Sequence, residues 1–267
     1  MDWDKAYANH TFIDGAAGYP PRWAAEAAAF RANLSHRARL DLAYGDAPRE
    51  RLDLFLPDDT PEGLIVFVHG GYWRRFDKSS WSHLAAGGVA LGWAVAMPSY
   101  TLCPEVRIRD ITRQIGTAIA VAADEVAGPI RLTGHSAGGH LVTRMLCADA
   151  PLCPHVAARI VNTVSISGVH DLRPLLYTEM NTDFRMDAAE AIAESPALLI
   201  PRPEARLTCW VGADERPEFV RQSALLANIW TGLGAETDAV EEPARHHFDV
   251  IDGLTDAYSA LMQTLLE

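Results

Sequence analysis

The pattern of hydrophobic and polar positions changes repeatedly along the chain. Short apolar runs, many of them β-branched, alternate with longer Ala-rich and Leu-rich stretches. Continuous apolar runs are typical of strands buried on both faces, and the longer stretches predict helices that cover such a sheet. The sequence therefore predicts an α/β fold with a mostly parallel sheet of about eight strands. The predicted strands are 40–44, 52–56, 64–68, 94–97, 130–133, 161–166, 207–211 and 237–240.

The first two predicted strands differ from the rest in how they are connected. Residues 45–48, with the sequence Gly-Asp-Ala-Pro, form a turn-favouring cluster between them. This spacing predicts an antiparallel hairpin that precedes the parallel part of the sheet. Helices are predicted over 22–33, 81–90, 109–126, 137–148, 217–233 and 253–266.

The domain organisation predicted for the 267 residues is a single unit, 1–267, because the chain shows no linker, repeat or low-complexity tract. Two segments belong to no strand–helix repeat. Residues 1–35 form an N-terminal helical extension, and residues 169–203 form a proline-interrupted insertion. Long connections of this kind are often functional, so both segments are expected near the mouth of a pocket. Plain structural packing is the alternative for each.

Charge and hydropathy exclude several classes of partner. The formal net charge is −12, which argues against binding driven by the negative charge of nucleic acid or of anionic lipid. No segment approaches the roughly 18 apolar residues of a membrane span, and the N-terminus does not resemble a secretion signal. We therefore expect a cytoplasmic protein with a small-molecule substrate. The sequence does not distinguish a monomer from a homodimer.

Cysteine and histidine usage indicates chemistry without a metal or an organic cofactor. The four cysteines lie in apolar stretches and form no Cys-x-x-Cys pair, which is typical of reduced core residues. Only two of the ten histidines, His246 and His247, are adjacent. Neighbouring side chains rarely bind one ion without further spaced ligands, so no metal site is predicted.

The strongest catalytic signal lies between the predicted strand 130–133 and the helix that follows it. The sequence Gly-His-Ser-Ala-Gly, residues 134–138, matches the G-x-S-x-G nucleophile elbow of α/β hydrolases in its expected strand–turn–helix context. Ser136 is the predicted nucleophile. Ala137 opens the helix, so its backbone N–H is a predicted oxyanion donor. The alternative is that Ser136 only caps the helix.

A second motif follows the buried run 64–68, which ends in the sequence His-Gly-Gly-Tyr-Trp. This is the form of an oxyanion loop, in which glycines allow the backbone to approach the substrate carbonyl. The backbone N–H groups of Gly71 and Tyr72 are predicted to join that of Ala137. The remaining loop residues, His69, Gly70 and Trp73, are predicted to contact the substrate.

Two further segments supply candidates for an acid and a base. The predicted strand 207–211 ends in a small-residue turn that carries Asp214, the predicted triad acid, with Glu215 as the local competitor. The loop before the last helix carries His246 and His247. The chain order Ser136, Asp214, His247 is that of α/β hydrolases.

These motifs resemble the kynurenine formamidases (arylformamidases), serine hydrolases of the α/β-hydrolase fold. The resemblance implies hydrolysis of N-formyl-L-kynurenine to kynurenine and formate, without a metal. It also implies that the histidine preceding Phe248 is the general base, which favours His247 over His246. The motifs that carry it are His-Gly-Gly-Tyr-Trp at 69–73, Gly-His-Ser-Ala-Gly-Gly-His at 134–140, Ser-Gly-Val-His-Asp-Leu at 167–172 and His-Phe-Asp-Val-Ile at 247–251.

Two other functions remain open at this stage. A carboxylesterase or amidase that acts on another small acyl compound would use the same motifs. A non-catalytic binding protein on the same scaffold is disfavoured by the complete set of nucleophile, acid and base. In the formamidase interpretation, Arg74 or Arg75 is a candidate partner for an amino-acid carboxylate, with a plain surface charge as the alternative.

Overall fold

A computed structural model describes residues 1–267 and contains one eight-stranded sheet. Its order is β1-β2-β4-β3-β5-β6-β7-β8, so the predicted α/β fold and its eight strands are confirmed. The strands are β1 Ala38–Ala43, β2 Arg51–Phe55, β3 Leu64–Val68, β4 Ala94–Pro98, β5 Ile130–His135, β6 Ile160–Ile166, β7 Arg206–Gly212 and β8 Glu236–Glu242.

The direction of the strands brings the loops that follow several of them together at one edge of the sheet. Strands β1 and β2 form the predicted antiparallel hairpin, and β2 also pairs antiparallel with β4. All pairs from β4 to β8 are parallel. The carboxyl ends of β3, β5 and β7 therefore meet at one edge, where ligands bind in open parallel sheets.

Helices cover both faces of the sheet, and three predicted helices differ from those observed. The predicted helix 81–90 is a 3-10 turn, Ser82–Ala85, followed by a short helix. Helix 137–148 ends at Arg144, because Ala148 instead donates its backbone N–H to the Ile200 carbonyl of the insertion. Helix 253–266 begins only at Ala260, where the Ser259 side chain accepts a hydrogen bond from the Met262 N–H.

The helix bounds are α1 Trp3–Tyr7, α2 Tyr19–Leu34, α3 Ala86–Ala90, α4 Ile108–Glu125, α5 Ala137–Arg144, α6 Pro154–Ala157, α7 Asn181–Phe184, α8 Ala188–Ala193, α9 Pro217–Thr231 and α10 Ala260–Leu266. The two longest in the first half of the chain, α2 and α4, occur where the sequence predicts helices. None of the helices is long and apolar enough to cross a bilayer.

The apolar core is divided by the sheet. Along β3, Leu64, Val66 and Val68 belong to the larger buried cluster, whereas Ile65 and Phe67 belong to the smaller one. Successive side chains of a strand point to opposite faces, so the two clusters lie on opposite sides of the sheet. This explains why β3 is apolar at every position. All four cysteines are free thiols.

Helix α5 packs its first turn directly onto the backbone of β3. A Cβ atom placed on Gly138 would lie 1.9 Å from the carbonyl oxygen of Val68, a separation that no relaxed structure tolerates. Only the absence of a side chain at position 138 allows the start of α5 to lie this close to the carboxyl end of β3.

We predict that Gly138→Ala lowers the free energy of unfolding by at least about 3 kcal/mol, because the contacted atom is backbone and cannot move aside. Gly18→Ala is the matched control, since no atom lies within 4 Å of the added Cβ. Urea denaturation of both variants measures the difference. Equal stability of the two variants would contradict the described packing.

Candidate active site

Ser136 occupies the sharp turn between β5 and α5. Its backbone has φ 56 and ψ −115, a conformation that non-glycine residues rarely adopt, and its side chain makes no helix-capping hydrogen bond. The backbone N–H of Ser136 donates to the Ile166 carbonyl at 2.8 Å. Strained backbone held by neighbouring strands is the geometry of a nucleophile elbow. The interpretation of Ser136 as a simple helix cap does not fit this geometry.

The loop after β3 lies against the Ser136 turn. A Cβ atom on Gly70 would lie 2.7 Å from the His135 carbonyl oxygen and 3.1 Å from the Ser136 Cβ. The backbone N–H groups of Gly71, Tyr72 and Ala137 donate no hydrogen bond within the chain. These are the three groups that the sequence predicts as oxyanion donors. The structure leaves all three uncommitted, which suits them to an oxygen that develops negative charge.

His247 is buried beside the same pocket and is paired with a carboxylate. Its Nδ1 donates to Oε2 of Glu215 at 2.6 Å, and both side chains are almost completely buried. Glu215 is held in turn by the Ser167 hydroxyl and by the Gly212 N–H, the latter at 3.0 Å. A proton fixed on Nδ1 leaves Nε2 of the ring as the site that can accept a proton.

The structure contradicts the prediction that Asp214 is the triad acid. Its side chain is exposed and makes no side-chain hydrogen bond or ion pair, whereas Glu215 contacts His247 directly. The turn after β7 explains the difference, because the Glu215 N–H donates to the Gly212 carbonyl at 3.2 Å and turns residue 215 back towards the sheet. Two adjacent carboxylates in a turn face opposite directions, and sequence order cannot show which one faces inward.

His246 has a different environment from His247. Its Nε2 lies 3.0 Å from the Tyr19 hydroxyl, and its Nδ1 lies 3.0 Å from the Asp249 carboxylate. It therefore connects helix α2 to the loop that carries His247. His247 lines the pocket together with Ser136, whereas His246 does not. The geometry thus selects His247 of the two histidines.

Three residues predicted to contact the substrate lie behind the pocket wall: His69, Gly70 and Trp73. His69 is buried, donates from Nδ1 to the Gly70 carbonyl at 2.7 Å and stacks on Tyr100. Trp73 is fully buried and packs edge-on against His140. None of the three lines the pocket, because the loop turns their side chains or backbone into the core. They support the wall that Gly71 and Tyr72 form.

The pocket has a volume of about 850 Å³ and is built from several segments. The N-terminal segment contributes a large part of its lining, and the insertion contributes a smaller part. The residues from these two segments are Asp4, Tyr7, Ala8, Asn9, His10, Ile13, Gly15, Ala16, Ala17, Pro20 and Trp23, and then Glu179, Met180 and Thr182. An aromatic wall is formed by Trp23, Phe76, Trp81 and Phe248. The pocket is therefore closed by parts of the chain outside the strand–helix repeat.

His135 is a second histidine at the pocket, and its environment keeps it neutral. Burial, reinforced by the neighbouring His247, holds the pKa of His135 well below its ordinary value. Its Nε2 donates to the His247 backbone carbonyl at 2.9 Å. His135 thus fixes the loop of His247 without competing for protons. The sequence motif contained His135, but nothing in it showed this contact.

The sequence offered Glu215 only as a competitor of Asp214, yet Glu215 is the residue that pairs with His247. Ser167, to which the sequence gave no role, donates its hydroxyl hydrogen bond to Glu215. Ser167 opens the Ser-Gly-Val-His-Asp-Leu motif, so a signal for it existed in the sequence. No group of three or more His, Cys, Asp or Glu side chains is arranged to hold a metal ion.

The chain is similar to known proteins over most of its length. Residues 65–265 match the alpha/beta hydrolase family. The chain belongs to this family and is a hydrolase. A crystal structure of a candidate thioesterase from Silicibacter sp. TM1040 is 56% identical, covers 100% of both chains and has a TM-score of 0.96.

Two curated relatives bear on the type of hydrolase. The kynurenine formamidase of Danio rerio is 28% identical over 93% of this chain and 92% of its own length. The kynurenine formamidase of Salmo salar is 27% identical over 85% of this chain and 81% of its own. The resemblance to kynurenine formamidases is thereby confirmed over most of the chain.

The corrected acid leads to a direct test. We predict that Glu215→Gln lowers kcat by roughly a hundredfold to ten-thousandfold, because an amide no longer stabilises the histidine when it is protonated. Asp214→Asn should leave kcat close to that of the wild type, since its carboxylate is exposed. Steady-state hydrolysis of a p-nitrophenyl ester measures both, and the opposite ranking would restore Asp214 as the acid.

Buried histidines should make the fold sensitive to acid. Burial lowers the pKa of His69 to about 4 and that of His140 and His170 to about 3. Between those values and the ordinary value of about 6.5, the unfolded chain binds protons that the folded chain does not. Stability is therefore unaffected by these groups above about pH 6.5 and falls as the pH decreases below it.

Each such histidine should contribute a slope of about 1.4 kcal/mol per pH unit near pH 5. We expect His170→Asn to reduce the slope by about that amount, whereas the exposed His155→Asn should not change it. Denaturant unfolding at a series of pH values provides the measurement. An identical slope in both variants would show that burial of His170 does not suppress its protonation.

Proposed function

We propose that this hydrolase is an arylformamidase that converts N-formyl-L-kynurenine to kynurenine and formate. The observation that carries the proposal is the union, in one pocket, of Ser136 with the His247–Glu215 pair, in a chain that is similar to kynurenine formamidases over most of its length. The proposed roles are nucleophile for Ser136, general base for His247 and triad acid for Glu215.

In the first step, the Ser136 Oγ attacks the formyl carbon while Nε2 of His247 takes the hydroxyl proton. The carbonyl oxygen becomes an oxyanion, which accepts hydrogen bonds from the N–H groups of Gly71, Tyr72 and Ala137. Collapse of this intermediate breaks the C–N bond. His247 returns the proton to the leaving arylamine nitrogen, and a formyl-serine remains.

In the second step, water replaces the amine at the same position. His247 takes a proton from water, and the resulting hydroxide adds to the formyl carbon of the formyl-serine. Formic acid leaves as the Ser136 oxygen regains its proton from His247. Glu215 stabilises the protonated imidazole in both steps and remains an ionised carboxylate throughout.

The pocket suits an aromatic leaving group. Its wall of four aromatic side chains provides apolar faces against which an aryl ring can pack. Of the two arginines that the sequence suggests, Arg74 is paired with Asp183 at 2.7 Å. Arg75 lines the pocket and has no ion-pair partner in the chain, so it is the better candidate for a substrate carboxylate.

A second candidate function is hydrolysis of another small acyl compound, an ester or a thioester. The similarity to the candidate thioesterase from Silicibacter sp. TM1040 favours it, because that protein matches this chain over its full length. Both functions use the same acyl-transfer steps. They differ in the size of the acyl group that the site accepts and in the atom that leaves.

The substrate proposal is tested with formyl, acetyl, propionyl and butyryl derivatives of one arylamine, compared by kcat/KM. We expect the formyl compound to be preferred by about ten- to a hundredfold over acetyl, because overfilling a close-packed site costs about 1 to 3 kcal/mol. A butyryl thioester is assayed in parallel, with Ser136→Ala as the inactive control. Equal or faster turnover of butyryl compounds would replace the formamidase proposal with the second candidate.

A further inference from the structure

The hydroxyl of Tyr72 connects the oxyanion loop to the N-terminal segment. It donates to the backbone carbonyl of Tyr7 and accepts a hydrogen bond from the Asn9 amide at 3.1 Å. Burial, together with the charge of Glu215, raises the pKa of Tyr72 above its ordinary value. The hydroxyl therefore stays protonated at neutral pH, as a donor to Tyr7 must.

The backbone of Tyr72 is strained at the point where these bonds act. Tyr72 and Trp73 have φ values of 51 and 54, and non-glycine residues in this region cost about 1 to 3 kcal/mol each unless their surroundings impose the conformation. Trp73 is held by complete burial and by the hydrogen bond from the Cys103 N–H to its carbonyl, 2.8 Å long. For Tyr72, the side-chain hydrogen bonds to the N-terminal segment supply the corresponding constraint.

The acceptor of the Tyr72 hydroxyl is itself firmly anchored. Tyr7 is 1% exposed, and its own hydroxyl donates to Glu218 at 2.9 Å and accepts from Gln222 at 3.1 Å. Both partners lie in α9, which begins two residues after Glu215. The N-terminal segment thus connects the helix next to the triad acid with the loop that carries the oxyanion donors.

We infer that residues 1–9 act as a positioning element for catalysis: through the Tyr72 hydroxyl they hold the strained oxyanion loop so that its N–H groups face the tetrahedral intermediate. This inference rests on the proposed acyl transfer through Ser136, but not on the identity of the acyl group. The segment also lines the pocket, so the same residues that enclose the substrate set the geometry of the oxyanion hole.

Loss of the Tyr72 hydroxyl should raise the energy of the transition state more than that of the bound substrate. An oxyanion donor stabilises the tetrahedral intermediate far more than the bound substrate, and loss of one donor costs about a hundredfold to a thousandfold in kcat. Removal of the Tyr72 hydroxyl leaves the backbone N–H present but less well held. We therefore expect a smaller loss, about 10- to 100-fold, that appears in kcat and leaves KM within about threefold.

The experiment compares Tyr72→Phe, which keeps the ring and removes only the hydroxyl, with Tyr177→Phe as the control. Tyr177 is 74% exposed and does not line the pocket. An aryl trifluoromethyl ketone provides the decisive probe, because addition of the Ser136 Oγ to its carbonyl creates an oxyanion. Its affinity should fall in Tyr72→Phe by about the same factor as kcat, whereas binding of the arylamine product should not change.

Asn9→Ala provides a second variant, which removes the donor to the Tyr72 hydroxyl without altering the loop. Its loss in kcat should be smaller than that of Tyr72→Phe. In the double variant, Asn9→Ala should cause no loss beyond that of Tyr72→Phe, since both changes act through one hydroxyl. A Tyr72→Phe protein with a lower Tm but wild-type kcat and ketone affinity would overturn the inference. Turnover that survives in Ser136→Ala would instead overturn the proposed acyl transfer itself.

Discussion

The close approach of α5 to the carboxyl end of β3 is the constraint on which the rest of the site depends. The backbone at Gly138 touches the Val68 carbonyl closely enough to exclude any side chain. This contact sets the position of the helix N-terminus, and with it Ser136 and the Ala137 N–H. Because β3 also leads into the loop of Gly71 and Tyr72, one backbone contact sets Ser136 and the N–H groups of that loop relative to each other.

Half of the strained backbone lies around the pocket, since five of the ten non-glycine residues with positive φ are in its loops. Non-glycine residues with positive φ include Tyr72, Trp73, Phe76, Ser136 and Ser167, which all lie at the loops after β3, β5 and β6. Such conformations are costly, and they persist only where packing and hydrogen bonds over-determine them. The large core divided by the sheet supplies that rigidity. The packed core thus stabilises the strained loops at the edge of the sheet.

The histidines show how burial separates structural from chemical roles. His69, His135, His140 and His170 are all buried with lowered pKa values, and the first three donate to backbone carbonyls. His247 is also buried, but a carboxylate faces its ring. Burial without a counter-charge opposes the charged form of an imidazole. The pocket edge therefore combines histidines that hold the backbone with one histidine that is paired with a carboxylate.

What the sequence determined by itself was local or periodic. The apolar runs predicted all eight strands, and the turn cluster at 45–48 predicted the antiparallel hairpin, because both depend on neighbouring residues. The elbow around Ser136 was equally clear, since its glycines are required by contacts within one strand–turn–helix unit. The helices at 137–148 and 253–266 were predicted too long, because contacts with the insertion and a capping serine end or delay them.

Tertiary structure alone decided which side chains meet. Asp214 and Glu215 are indistinguishable in sequence, and only the turn back towards the sheet brings Glu215 to His247. His69 and Trp73 belong to the His-Gly-Gly-Tyr-Trp motif, yet their side chains are buried in the core. The contribution of residues 1–9 to the pocket was set by hydrogen bonds to partners more than 60 positions away, such as Tyr72 and Glu218. No local pattern encodes such pairs, because each depends on how the whole chain folds.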